Sequence, residues 1–209
     1  CCSVVIPDEQ PNSSRRGIGC EDNDVIDVLW VYTQQALDYI GNEEGVLLQC
    51  QIAVDDANAT FANTELPFSV RIVGLHYTDY TETDDYLAHL SNPNDGYMDE
   101  VHPLRDAKAA DIVVLITETG YCGLAYVSPS NPAGGFQECS AYCLVEDWAN
   151  PFRHELGHNL GSQHYTTDTY GYFSWSSGHR LTPDGGEEIG TAMGGNNIPH
   201  YSNPNVYYG

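Results

Sequence analysis

Residues 154–164 carry the side chains of this sequence whose types and spacing could do chemistry. They read H-E-x-x-H-x-x-G-x-x-H. On an α-helix, positions i and i+4 lie on one face, so His154 and His158 can direct two imidazoles at one metal ion. Glu155 then lies beside the metal but outside its set of ligands, where it can act as a general base on a water molecule.

Gly161 and His164 complete this pattern. Glycine adopts the left-handed backbone without steric cost, so Gly161 can end the helix and turn the chain towards His164 as a third ligand. Three protein ligands leave the fourth position of tetrahedral zinc open for water or substrate, which is typical of a catalytic zinc site. The alternative is a solvent-exposed, histidine-rich helix without a metal.

The surrounding elements must position this segment. Alternation around β-branched residues predicts a strand at 68–77, and a continuous apolar run predicts a strand buried on both faces at 112–116. Further strands are expected at 25–32, 122–127 and 141–145. Thr33 can cap a helix at 34–62, although Gly41 and Gly45 weaken its middle. A partly helical stretch at 86–109 is expected to break at Asn92-Pro93 and at Pro103.

The zinc helix itself is expected to begin at Asn150-Pro151, because proline is tolerated in the first turn of a helix. The alternation of strands and helices indicates an α/β fold with a mixed sheet. Regular structure is expected to fade after His164, where loops around Trp175, Ile189 and Met193 must hold the core. We therefore expect an upper subdomain of strands and helices, a small irregular lower subdomain, and the zinc cleft between them.

The zinc motif resembles that of the metzincin clan of zinc endopeptidases. That clan has a methionine in a tight turn beneath the zinc, downstream of the third histidine. Here Met193 lies in Gly-Thr-Ala-Met-Gly-Gly at 190–195. The resemblance implies that Met193 is a hydrophobic floor of the site and not a metal ligand.

Within the clan, the sequence resembles the adamalysin/reprolysin branch and its bacterial secreted relatives. The resemblance covers the chain from about Asp24 onwards. Four segments look like the first strand, a central strand, the edge strand above the cleft and the segment that closes the primed-side pocket; they are 24–33, 110–117, 121–127 and 198–204. The fold it implies is a twisted mixed sheet with an antiparallel edge strand and long helices.

Two positions depart from this branch. Tyr165 follows the third histidine where the branch usually has Asp, and Gly194-Gly195 replaces the bulkier residues common after the methionine. Tyr201 is a candidate for the tyrosine that some metzincins add near zinc. These departures concern the sub-family rather than the zinc site.

The resemblance implies a zinc-dependent endopeptidase that hydrolyses internal peptide bonds of proteins or peptides. Glu155 would take a proton from the metal-activated water and pass it to the leaving amine. An extended substrate would lie beside the edge strand, with Gly123, Leu124, Ala125 and Tyr201 as candidate cleft residues. Selectivity would come from the pocket near 193–201.

Composition limits the other classes of function. With 209 residues and 41% hydrophobic residues, the chain can bury one core, which we assign to a catalytic domain at 24–209 after an N-terminal extension or propeptide remnant at 1–23. The net charge of −23 argues against nucleic acid as a partner. No apolar run approaches the roughly 20 residues of a membrane span. We expect a monomer. Calcium, which takes oxygen ligands, is a second candidate cofactor without an assigned site.

Seven cysteines indicate an oxidising, extracellular location. A disulfide from Cys122 to Cys139 or Cys143 would fix the edge strand, but sequence leaves the pairing open. The odd count leaves one thiol, and Cys20 is a candidate for a propeptide thiolate that occupies the fourth zinc position and keeps the enzyme latent, with Cys1 and Cys2 as rival candidates. Its alternative is a disulfide, for example with Cys50.

Two further hypotheses compete with an active enzyme. One is the latent zymogen with Cys20 on zinc. The other is a non-catalytic binding module that zinc stabilises, against which Glu155 argues, because a structural zinc needs no general base.

Overall fold

The computed structural model describes residues 24–127, 135–146, 150–165, 171–173, 176–184, 186–195 and 198–206. A five-stranded sheet with the order β2-β1-β3-β5-β4 forms its centre. The strands are β1 (Asp24–Tyr32), β2 (Phe68–Tyr77), β3 (Ile112–Thr117), β4 (Gly123–Ala125) and β5 (Phe136–Ser140). β1, β2, β3 and β5 run parallel, and the edge strand β4 is antiparallel to β5. The expected mixed sheet with an antiparallel edge strand is confirmed.

Six helices and one short antiparallel pair of strands are the other described elements. The helices are α1 (Gln34–Ile40), α2 (Glu43–Asn63), α3 (Tyr86–Ser91), α4 (Val101–Lys108), α5 (Ala141–Glu146) and α6 (Pro151–Asn159). In a separate antiparallel pair, β6 (Arg180–Leu181) lies beside β7 (Ile189–Gly190). None of the helices in these described ranges is both long and apolar enough to cross a membrane.

The central strands are buried on both faces, because alternate side chains of a strand point to opposite sides of the sheet. Val28, Trp30 and Tyr32 of β1 face a core that includes α2 and α6. Leu29 and Val31 face a second core that α3 and α4 cover. The continuous apolar run of β3, with all six residues buried, is explained in the same way.

The helix predicted at 34–62 is interrupted. Gly41 has φ +108° and ends α1, and the Asn42 side chain accepts a hydrogen bond from Gly45 N to start α2. The capping residue Thr33 is where it was expected, since its hydroxyl accepts from Ala36 N at 3.0 Å. Glycine therefore divides this segment into two helices instead of only weakening it.

Two other local predictions were wrong. Residues 141–145 form helix α5 and not a strand, and the strand at this position is β5, directly before them. β5 was missed because it carries the polar Gln137 and Glu138, although all five of its residues are buried. Pro103 does not break α4, because it lies in the first turn, where a proline costs no helical hydrogen bond.

We call residues 24–159 the upper region and residues 160–206 the lower region. The described lower region contains only β6 and β7 as regular elements, so the expected loss of regular structure after the motif agrees with the fold. Of the residues expected to hold its core, Met193 is buried, Ile189 is partly buried, and Trp175 lies outside the described residues. Ala192, Met193 and Tyr201 join the core on the α2 side of the sheet.

Candidate metal centre and active site

Helix α6 begins and ends as its sequence predicts. The Asn150 side chain accepts from Arg153 N, and Pro151 occupies the first turn. At the other end Gly161 has φ +95°, and its N–H donates to the His158 carbonyl at 2.9 Å. This left-handed residue turns the chain into the lower region, where Gln163 N donates to Ser176 O.

Three imidazoles converge after this turn. His154 Nε2 lies 2.9 Å from His164 Nε2, and His158 Nε2 lies 3.0 Å from the same atom. In the described residues these three side chains are the only cluster of at least three His, Cys, Asp or Glu groups that could hold a metal ion. The helix contributes two of them through its i, i+4 spacing, and the Gly161 turn contributes the third.

The hydrogen bonds of the other ring nitrogens show that this cluster fits a cation. His154 Nδ1 lies 2.6 Å from the Ala192 carbonyl and His158 Nδ1 lies 2.8 Å from the Ser162 carbonyl, so both Nδ1 atoms must carry the proton. Their Nε2 atoms are then acceptors. The Nε2 of His164 can donate to only one of them, so at least one of the two short contacts has no hydrogen bond to explain it unless a cation lies between the rings. Tetrahedral zinc would hold such nitrogens roughly 3.4 Å apart.

Burial favours the neutral form of all three rings. It is the main cause that lowers the pKa of His158 to about 4, with the charges of His154 and His164 adding to it. The pKa of His154 is also lowered, chiefly by burial. For His164, burial and then the charge of Arg180 lower the pKa. Neutral imidazoles are the form that binds metal.

Glu155 lies directly against the edge strand. A Cβ built on Gly123 would approach Glu155 Oε1 to 2.6 Å, so only glycine at this position leaves room for the carboxyl group. Leu124 is exposed and Ala125 is partly buried, and the strand they form is the last of its sheet. The Glu155 carboxyl group therefore lies against the edge strand β4, whose outer edge has no neighbouring strand in the described residues.

A second carboxyl group lies close to this one and was missed in the sequence. Glu138 of β5 is fully buried, and its Oε1 accepts from the Thr117 hydroxyl at 2.5 Å. Burial raises the pKa of Glu138 to about 8. Burial, and secondly Glu138, raises the pKa of Glu155 to about 8 as well. Glu138 lies in a strand with no motif around it, so no sequence pattern indicated that it would lie close to Glu155.

Two side chains of α6 hold the helix between the sheet and α2. Arg153 Nη1 lies 3.0 Å from Asp56 Oδ1 of α2, and its side chain is only 8% exposed. Asn159 donates to the carbonyls of Tyr126 and Phe136 at 3.0 and 3.2 Å. These contacts fix both ends of the helix that presents the histidines, and each pairs residues far apart in the sequence.

Met193 lies beneath the motif. It is 2% exposed, and a Cβ on Gly157 would collide with its sulfur, so the helix backbone rests directly on this side chain. The tight turn around it is closed by Gly194 N donating to Thr191 O at 2.8 Å. Ala192, directly before Met193, supplies the carbonyl that orients His154.

Tyr201 lies in the core near the same helix. Its hydroxyl donates to the Arg153 carbonyl at 2.5 Å, and burial raises its pKa. Its ring centroid lies 5.6 Å from that of Phe61 with the rings tilted by 33°, and Tyr201 also lines a cavity of about 530 Å³. The other walls of this cavity come from two stretches of the lower region, mainly 177–181 and 198–206.

The described cysteines resolve one open pairing. Cys122, directly before β4, forms a disulfide with Cys143 of α5 rather than with Cys139. Cys50 and Cys139 are buried free thiols. Cys20, with the whole extension at 1–23, lies outside the described residues.

The site geometry agrees with the similarity of this chain to known proteins. Residues 47–165 match the family described as metallo-peptidase family M12B, reprolysin-like. The chain is 32% identical over 199 residues to the peptidyl-Asp metalloendopeptidase of Stenotrophomonas maltophilia strain R551-3, covering 88% of this chain and 46% of that protein. It is 31% identical over 196 residues to the protein of that name from Xanthomonas campestris pv. campestris, covering 88% of this chain and 45% of the relative. The chain thus spans just under half the length of these relatives.

A solved structure extends the likeness to the fold. One chain in a structure of a chaperone–substrate complex superimposes with a TM-score of 0.68 at 26% identity, covering 90% of this chain and 30% of that chain. The family match includes α2 from residue 47 onwards, the sheet strands β2 to β5 and the complete histidine motif. This chain therefore belongs to the reprolysin-like M12B family of metallopeptidases.

Proposed function

We propose that this chain is the catalytic part of a zinc-dependent endopeptidase. In this proposal His154, His158 and His164 hold the zinc ion and Glu155 is the general base. The observation that carries it is the convergence of three Nε2 atoms, two of them held as acceptors by carbonyls at 2.6 and 2.8 Å, beside a buried carboxyl group.

The chemistry of these residues follows from their surroundings. A zinc ion held by His154, His158 and His164 would supply the positive charge that acidifies a water molecule and polarises the scissile carbonyl. Glu155 accepts the proton of that water and returns it to the leaving amine. Its burial and the neighbouring Glu138 both favour the protonated form, so the carboxylate is a stronger base than one in water. Met193 supports the helix from below and touches no reacting atom.

We propose that the substrate binds in an extended conformation along β4. The outer edge of this strand has no neighbouring strand in the described ranges, so its backbone can pair with a peptide. Such pairing would place the peptide along Gly123, Leu124 and Ala125, next to Glu155. The cavity that Tyr201 lines would then contribute to selectivity.

The preferred bond is proposed from the relatives. Their name gives a peptidyl-Asp bond as the bond they cut. We propose the same preference here, for Asp beside the scissile bond. Digestion of a peptide library, with the cut sites mapped by mass spectrometry, tests this; cuts distributed without regard to acidic residues would contradict it.

The general base is tested by replacing Glu155→Gln in the zinc-loaded protein. Removing such a group typically costs about 10²-fold or more in turnover. We expect casein hydrolysis to fall by at least that factor while zinc content and melting temperature stay close to those of the wild type. Glu146→Gln, an exposed position on α5, is the matched control and should keep full activity. Retained hydrolysis in the Glu155→Gln protein would remove the assignment.

The metal ligands are tested by zinc content. The wild type should bind one equivalent of zinc, measured by elemental mass spectrometry, and a chelator should abolish hydrolysis. His158→Ala should lose the zinc, whereas His76→Ala, on the far side of the sheet, should keep it. Equal zinc contents in the two variants would contradict the ligand set.

The form and location of the protein are also proposals. We propose a monomer that acts in an oxidising, extracellular location, which the Cys122–Cys143 disulfide supports. X-ray absorption at the zinc edge distinguishes the active form, with oxygen as fourth ligand, from a latent form with a sulfur ligand such as Cys20. Size-exclusion chromatography with light scattering measures the oligomeric state.

A further inference from the structure

Arg180 is the only lysine or arginine between His154 and the last residue, in a chain with seven basic and thirty acidic residues. It lies on β6, where neighbouring side chains point to opposite faces. His179 and Leu181 point into the cavity of about 530 Å³. Arg180 points to the other face, towards the chain that carries the third histidine.

The contacts of Arg180 place its charge beside the metal motif. Its guanidinium carbon lies 5.7 Å from the ring centroid of Tyr165, the residue directly after His164. Its Nε donates to the carbonyl of Gly194, the residue directly after Met193. The side chain is thus anchored by the two segments that flank the site. Because the hydrogen bond to Gly194 uses Nε, the two terminal nitrogens Nη1 and Nη2 are left for other partners.

One of these terminal nitrogens already contacts a carboxylate. Arg180 Nη1 lies 3.2 Å from Glu188 Oε1, and the two side chains are 42% and 57% exposed. A pair this exposed is worth little, so another carboxylate can displace it. Within the described ranges Nη2 has no partner. The guanidinium therefore has the fork-like geometry that binds a carboxylate with two parallel hydrogen bonds.

The other described arginines are not available in this way. Arg153 is buried in its ion pair with Asp56, and Arg71 of β2 pairs with Asp27 at the edge of the sheet that lies farthest from β4. Arg105 donates to the backbone carbonyls of Ala110 and Asp111. Among the described arginines, Arg180 is therefore the one whose exposed guanidinium lies beside the histidine cluster, because the more exposed Arg71 belongs to the strand β2 at the far edge of the sheet.

We propose that Arg180 is the specificity-determining residue that selects an aspartate beside the scissile bond, and that Glu188 occupies the same guanidinium when no substrate is bound. This inference rests on the proposed endopeptidase function and names the residue that would give it an acidic preference. Arg180 acts here on substrate binding and not on the proton transfers of Glu155.

The test compares two peptides that differ only in Asp or Asn beside the scissile bond, using the zinc-loaded full chain. A hydrogen bond to a charged group is stronger than one between neutral groups, so the ratio of kcat/KM for Asp over Asn should fall by about tenfold or more in Arg180→Gln. Arg180→Lys keeps the charge and should retain part of the ratio. Arg71→Gln removes an equal charge far from the site and should leave the ratio unchanged.

Two further results separate recognition from a structural role. Removing the competing carboxylate by Glu188→Gln should raise the Asp/Asn ratio about two- to fivefold, the value of an exposed ion pair. The wild-type ratio should fall as salt is raised, because the guanidinium is exposed, and the Arg180→Gln ratio should not. If Arg180 only stabilised β6, neither Glu188→Gln nor a change in salt concentration would alter the Asp/Asn ratio.

Binding measurements keep this inference distinct from the proposed function. The Glu155→Gln protein and its Arg180→Gln double variant are titrated with both peptides by calorimetry. If the wild type hydrolyses neither peptide, the endopeptidase proposal fails, and the Kd ratio still decides the role of Arg180. An Asp/Asn ratio that Arg180→Gln leaves unchanged, in kinetics and in binding, would overturn the inference.

Discussion

The upper and lower regions of this molecule are held together in different ways. In the upper region, β1 and β3 bury apolar side chains on both faces, and Trp30 packs on Phe152 of α6 with ring centroids 4.9 Å apart. In the described lower region, backbone segments pack directly against each other at glycine residues. A Cβ on Gly178 would collide with the Met193 carbonyl, and one on Gly194 would collide with the carbonyl of His179.

This difference shows how the site is divided between the regions. α6 belongs to the upper core and presents His154, Glu155 and His158, whereas His164 comes from the lower region. A metal ion held by all three would connect a region stabilised by hydrophobic burial to one in which close backbone contacts accompany the burial of Ala192, Met193 and Tyr201. Changes to the upper region should therefore act on global stability, and changes around the metal should act locally.

The largest effect is expected from removing side-chain volume in the upper core. Phe152 is fully buried, so Phe152→Ala should lower the free energy of unfolding by about 3–5 kcal/mol. Chemical denaturation followed by circular dichroism measures this. Phe173→Ala, at a 39% exposed position of the lower region, is the control and should cost far less. Equal losses would contradict the division into two regions.

Metal removal should act on the lower region alone. With a chelator present, we expect backbone amides at 160–165 and 189–195 to exchange hydrogen about a hundredfold faster, a local opening that is easier by about 2.7 kcal/mol. Amides of β1 and β3 should keep their protection, because their hydrogen bonds and core do not involve the metal. Hydrogen exchange with mass spectrometry reports both. Uniform acceleration across the chain would mean that the two regions unfold together.

Stability against pH should reveal the buried carboxyl of Glu138. Its pKa is about 8 in the folded chain, above the usual 4.5, because burial disfavours the charge. A raised pKa stabilises the fold below the ordinary pKa, and this contribution is lost as pH rises through about 8. Glu138→Gln removes that dependence, so its stability relative to the wild type should rise between pH 5 and pH 9, by roughly 1.4 kcal/mol for each unit by which the fold raises the pKa.

Thermal melting across this pH range measures the difference. Glu187→Gln, at an exposed position, is the control, and its melting curve should follow that of the wild type at every pH. Parallel pH profiles for Glu138→Gln and the wild type would show that Glu138 is not the source of the pH dependence.

The smallest expected effect comes from the contact between β4 and Glu155. Gly123→Ala should displace the carboxyl group, because the added methyl would lie 2.6 Å from Glu155 Oε1. We expect kcat to fall roughly tenfold, since a small misplacement of a catalytic group is sufficient. Gly186→Ala, where the nearest atom would be at 3.4 Å, should not change kcat. Unchanged kcat in both variants would mean that the Glu155 carboxyl group can adopt another position without loss of activity.

Local patterns predicted the parts of the molecule that depend on near neighbours. Helix α6 from Pro151, its end at Gly161 and the burial of Met193 all follow from short stretches of sequence. Strand β2 agrees with its predicted bounds, and the strand at 112–116 is one residue longer. Prediction failed at α5 and β5, where the apolar residues form the helix and polar residues lie in the buried strand.

The sequence by itself therefore determined the candidate metal site, because the i, i+4 geometry of a helix and the left-handed turn of glycine are local properties of eleven residues. Only the tertiary structure decided which distant groups surround it: Glu138 beside Glu155, Asp56 beneath Arg153, and Arg180 next to Tyr165. The physical reason is that burial and charge proximity are properties of packed elements, and no spacing along the chain encodes which strand or loop will lie against the site.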